Sequence, residues 1–150
     1  MKITASNLIR GAGLSAMVAG SIFAIVGLIH PPQVVSSVTT SAWTIVHLLT
    51  IVMAVFGLLG IAGIYAKQLE KAGWMGLAGC LLLSLWFVVV TGFTFFEAFM
   101  LPLLASDSPK FAESFLGIFT GSIGETSVGA LATLWTLLGV VYILGNSTSV

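Results

Sequence analysis

The placement of the charged residues constrains this chain most. Its 150 residues carry ten: Lys2, Arg10, Lys67, Glu70, Lys71, Glu97, Asp107, Lys110, Glu113 and Glu125. None falls between Arg10 and Lys67, none between Lys71 and Glu97, and none after Glu125. A helix needs about 20 apolar residues to cross about 30 Å of hydrocarbon. The first gap holds two such crossings, and the other two hold one each. Composition points the same way: 7% of residues are charged, 58% are hydrophobic, and mean hydropathy is +1.15. A soluble domain carries about 25% charged residues and cannot hide this much apolar surface at this length. An ordinary globular enzyme and a disordered segment are therefore excluded. Zero net charge without a basic patch excludes a nucleic-acid binder. The single cysteine, Cys80, excludes an intrachain disulfide and a multi-cysteine metal or cluster site.

The expected fold is all-α, a single transmembrane domain built as a four-helix bundle. The spans are expected at residues 11–30, 43–66, 73–100 and 124–144 of the sequence. Pro31 and Pro32 stop the first, because proline cannot continue a helix and disfavours helix in the residue before it. Residues 31–42 read as a loop, residues 67–71 as a compact charged turn, and Pro102 as the end of the third span. Gly145 and Asn146 close the fourth. Ser106-Asp107-Ser108-Pro109 is a helix-start signal. After it Phe111, Phe115, Ile118 and Phe119 recur at helical spacing, with Lys110, Glu113 and Ser114 on another face. The spacing predicts a short amphipathic helix at 109–120, lying in the interface before the fourth span. The alternative is that this segment extends the fourth span.

Positive charge near short loops stays in the cytoplasm. Lys2, Arg10, Lys67 and Lys71 then fall on one side, so both termini are expected on the cytoplasmic face of the inner (plasma) membrane. Trp43 is expected at the outer interface, and Tyr65, Trp74 and Tyr142 at the inner one. The apolar stretch after Arg10 is too long for the core of a signal peptide. In lipid, small residues let helix backbones approach closely. Gly13, Gly20 and Gly27 form one such row, and Ala54, Gly57, Gly60 and Gly63 another. Gly76, Cys80 and Ser84 form a third, and Gly117, Gly121 and Gly129 a fourth.

Four ionisable residues, His30, His47, Glu97 and Glu125, are expected at the outer end of the bundle, one per span. An ionisable side chain within a membrane is costly, so each is a candidate for function. His47 shares a stripe with Thr50, Ala54 and Gly57, which points it into the bundle. Structural readings stand beside each: a histidine at a helix C-terminus for His30, a hydrogen-bonded core histidine for His47, a side chain reaching the interface for Glu97, and a capping box with Ser122 for Glu125. Together the four form a candidate metal site, because helix bundles build such sites from inward carboxylates and imidazoles, and imidazole suits Zn, Cu and Fe. No HxxH, HxxxH or ExxH spacing reinforces it. A bis-histidine haem would require His30 and His47 to face each other. Trp86 and Trp135 fall near the bilayer centre. With His47 and His30 they are candidate cofactor-binding residues for a quinone, pigment or other flat apolar ligand; packing in the core is the alternative. A phosphate loop, a nucleophile elbow, an HExxH and a run of arginines are all missing from the sequence.

The string LIHPP at Leu28–Pro32, Trp43 with His47, the run GLLGIAGIYAKQ at Gly57–Gln68, and Leu101-Pro102-Leu103-Leu104-Ala105 resemble a pattern in small bacterial inner-membrane proteins with four transmembrane helices and no established activity. The resemblance implies the same architecture and carries no catalytic residues. The expected function is a non-enzymatic multipass membrane protein, an accessory or assembly subunit of a larger complex. Its partners would be the lipid bilayer and other membrane-protein subunits or itself. One alternative is a redox or ligand-binding protein holding a metal ion, haem, quinone or pigment at the outer end. Another is a small oligomeric transporter or channel.

Overall fold

The computed structural model describes residues 4–120. The fourth span expected at 124–144, with Glu125 and Trp135, lies outside the described residues. Those described are all-helical, with no strand among them. Helix α1 runs Ala5–Ile29. Thr4 opens it, its side chain accepting from the Asn7 backbone N–H at 3.3 Å. It ends at His30, whose backbone is extended, as a residue before proline is pushed to be. The helix therefore starts earlier than the apolar run, taking in Arg10.

After the prolines, Val35–Val38 form a single turn, α2, inside the segment expected to be a loop. Helix α3 then runs Ser41–Phe95, opened by Thr40, whose hydroxyl accepts from the Trp43 N–H. Its backbone breaks at Gly73, where φ is +55°, a conformation that only glycine takes without steric cost. The break divides α3 into arms at 41–72 and 74–95. The expected turn at 67–71 is not one: these residues continue the first arm as helix. Lys, Gln, Leu and Glu are good helix formers, and nothing in that stretch stops a helix until Gly73 is reached.

The arms fold back on each other. Trp43 and His47 meet Glu97, Gly57 lies under the Phe87 ring, and Gly76 sits near Tyr65. As position rises on one arm it falls on the other, so they are antiparallel. Helix α1 lies antiparallel to the first arm by the same reasoning, since Ala12 packs at Gly63, Ala16 at Gly60, and His30 against Trp43 and His47. Two continuous helices are long and apolar enough to cross a membrane, Ala5–Ile29 and the one from Ser41 to Asp107. The Gly73 break gives the second its two arms.

The expected glycine row of α1 does not form this seam. A Cβ on Gly13, Gly20 or Gly27 would meet nothing within 4 Å among the described residues. The packed face instead carries Ala12 and Ala16 with the buried Ser15 and Ala19. Alanine is small enough for a glycine opposite to complete the close approach.

Pro102 does not end the third segment either. The helix widens into a π turn at Phe96–Met100 and resumes as α4, Leu101–Asp107, with Pro102 in its first turn. Proline has no N–H to give and is tolerated at the start of a helix. The Leu101 N–H reaches back to the Phe96 carbonyl, so the wider turn carries the chain past the proline. The backbone departs from helix again at Ser108, and α5 runs Pro109–Thr120. Val38, Trp43, Leu101, Ala105, Ala112 and Leu116 form one buried cluster. The small elements α2, α4 and α5 thus cap one end of the bundle, on the side of His30 and His47.

Candidate functional site

Under this cap four side chains expected or required by the fold come together. Trp43 and His47 are four apart on the first arm of α3, hence on one face. Both are buried, at 0% and 3% exposed. Glu97 enters from the π turn and is 5% exposed. The π turn is a local bulge that re-aims side chains, and such bulges recur at functional sites. His30 arrives from the end of α1, held there because its helix stops at the prolines.

The hydrogen bonds fix the chemistry. His47 Nδ1 lies 2.7 Å from the Trp43 carbonyl oxygen. A carbonyl only accepts, so this nitrogen carries a hydrogen. In neutral His47 the other nitrogen, Nε2, therefore bears the lone pair. Nε2 lies 3.3 Å from Glu97 Oε2. That contact is attractive only with a proton between the two, as imidazolium and carboxylate or as imidazole and carboxylic acid. Either way the pair is neutral overall, which limits the cost of burying it. The Trp43 indole N–H donates to the Glu97 backbone carbonyl at 2.9 Å. This satisfies one backbone acceptor of the irregular turn and ties it to α3. Glu97 Oε1 is buried and has no hydrogen-bond partner among the described residues.

His30 is half-buried and lies edge-on to both neighbours, with its ring centroid 5.3 Å from His47 and 5.9 Å from Trp43. Its Nδ1 donates to the Pro31 carbonyl at 2.7 Å. The Trp43 and His47 rings are 4.3 Å apart. Edge-to-face contact of His30 with His47 leaves no gap for a porphyrin plane between them.

The structure thus brings His30, His47 and Glu97 together, and leaves Trp86 elsewhere. Trp86 is on the second arm of α3, eleven positions before Glu97, or about 16 Å along the helix. It lines an apolar cavity of about 190 Å³ with Ala16, Phe23, Met53, Gly57 and Phe87, its ring 4.9 Å from that of Phe87. Glu125 and Trp135 lie outside the described residues. Among those described, no three His, Cys, Asp or Glu side chains are grouped to hold a metal ion.

One member of the site escapes the sequence reading. Trp43 looks like an interfacial anchor and is instead its floor; its position one turn before His47 was the available signal. In the loop after the prolines Gln33 also has a buried side-chain oxygen without a partner among the described residues. Comparison with known proteins finds no matching family model, no matching curated protein and no matching solved structure.

Proposed function

We propose that this chain is a multipass inner-membrane protein that holds a small ligand at the outer end of its bundle, against Glu97 and beside His47, His30 and Trp43. Its four spans, with both termini in the cytoplasm, follow from the charge gaps and the lysine and arginine bias. They agree with the resemblance to small four-span bacterial inner-membrane proteins. The observation that carries the ligand reading is Glu97 Oε1, a buried oxygen left without a partner beside a buried histidine. A buried polar group without a partner is costly, and such groups in folded proteins point to a water, ion or ligand that completes them.

The full chain, extracted in mild detergent, tests this by native mass spectrometry together with an absorbance spectrum. The expected result is a bound small molecule that is lost in His47→Ala while helical circular dichroism is retained. A preparation with no bound species, or one whose bound species survives His47→Ala, rejects the site.

A second reading, an accessory or assembly subunit, is favoured by the outward face of α1. Leu14, Met17 and Leu28 are more than half exposed there, beside Gly13, where a Cβ would meet nothing within 4 Å among the described residues. Another helix fits such a face, and a stoichiometric co-purifying subunit would support this reading.

A further inference from the structure

The three ring N–H donors at this end of the bundle are already committed. The Trp43 indole N–H goes to the Glu97 carbonyl. The His47 Nδ1–H goes to the Trp43 carbonyl, and the His30 Nδ1–H to the Pro31 carbonyl. The one proton between His47 Nε2 and Glu97 Oε2 is held inside the pair. Among the described residues, the fully buried side-chain polar atoms left without a partner are both acceptors, Glu97 Oε1 and Gln33 Oε1. Glu97 Oε1 is 5% exposed as a residue and unpartnered. Neutral His30, with Nδ1 protonated, presents a lone pair at Nε2. A ligand offering another acceptor would set lone pair against lone pair. A ligand offering O–H or N–H would complete the site.

We infer, on the ligand-site reading above, that the site selects membrane-soluble molecules whose polar head presents hydrogen-bond donors. A hydroxyl or an ammonium qualifies, whereas heads with acceptors alone, such as quinone carbonyls or esters, are discriminated against. The shared chemistry is donation to Glu97 Oε1. A buried site built around a particular hydrogen bond rejects the analogue that lacks it far more strongly than an apolar pocket rejects an extra methylene.

Matched probes test this with the full chain in nanodiscs under argon, by isothermal titration. One pair is decylubiquinol and decylubiquinone, which differ in hydroxyl against carbonyl on one skeleton. The other is decylamine and methyl decanoate. At least one donor is expected to bind roughly tenfold or more tighter than its acceptor counterpart. The two pairs then separate a hydroxyl head from an ammonium head as the source of the donor. Glu97→Gln donates its amide to His47 Nε2 and keeps an oxygen facing the site, so it is expected to retain the preference; Glu97→Met removes that oxygen and is expected to shrink it. Acceptors that bind as well as donors, with binding lost in His47→Ala, would overturn the donor inference and leave the ligand site standing. Probes that do not bind, or that bind equally to wild type, His47→Ala and Glu97→Met, would remove both. Should Glu97→Met lose its helical signal, the wild-type ratio within each pair decides the inference.

Discussion

The seam between α1 and α3 and the cap over its end are held by different side chains. Along the seam, Ala12 and Ala16 meet Gly63 and Gly60, and a Cβ added at Gly60 would stand 2.9 Å from the Ala16 backbone. At the cap, Trp43, Leu101, Val38 and Leu116 are packed as in a soluble core. The difference follows from the surroundings. In the membrane-spanning arrangement proposed, the competing medium along the seam is hydrocarbon, so burying a large apolar side chain gains little. Close backbone approach and dispersion do the work instead. At the cap, irregular backbone and buried polar groups must be shielded and satisfied together. Large side chains shield them, and the Trp43 indole supplies one of the hydrogen bonds. The polar site sits where the packing is of the second kind.

That contrast can be broken from either side. Trp43→Ala removes the centre of the cap and the donor to Glu97, and is expected to cost about 3–5 kcal/mol. Detergent-denaturant unfolding followed by circular dichroism would measure it; a cost below about 1 kcal/mol would show that the cap is not a core. Gly60→Leu attacks the seam and is expected to cost roughly 1–3 kcal/mol through overpacking against Ala16. Unchanged unfolding would mean that the helices do not approach at that point. Gly73→Ala forces a side chain into the left-handed region between the two arms of α3. A loss of about 1 kcal/mol is expected, seen as a lower unfolding midpoint without loss of the His47 environment in histidine NMR. Gly13→Leu, with no neighbour within 4 Å among the described residues, is expected to leave monomer stability unchanged to within about 0.5 kcal/mol. A changed oligomeric state in that variant alone would sharpen the contrast, since it would show that the outer face of α1 serves association rather than folding.

His47 was legible as an inward residue because Thr50, Ala54 and Gly57 share its stripe, and both Ala54 and Gly57 are buried with it. Helix α5 was legible from Ser108-Pro109 and the phenylalanine spacing, and its residues 109–120 are helical. The glycine row at 13, 20 and 27 did not mark the face of α1 that meets α3. Small residues face lipid as readily as they face a helix, and periodicity reports which residues share a face without saying what that face meets. Residues 67–71 misled for a related reason: charge marks the water boundary, which a helix is free to overrun until its backbone is broken. Pro102 misled because a proline at the start of one helix and at the end of another have the same local sequence. The environment of Glu97 depended on Trp43, 54 positions away along the chain, and no local pattern carries that distance.

The sequence by itself determined the helical class, the apolar runs, and the small set of ionisable residues among which function must be sought. It could do so because hydropathy, charge spacing and proline act locally, on the residues that carry them. Only the tertiary structure decided that His30, His47 and Glu97 meet, that Trp43 is their floor, and that one carboxylate oxygen is left open. These follow from a single positive-φ glycine folding α3 back on itself, a π turn rotating Glu97 inward, and a proline pair stopping α1 at His30. Each places a residue against partners that are remote in the chain. Which polar groups are satisfied and which remain open is settled only once those partners are in place.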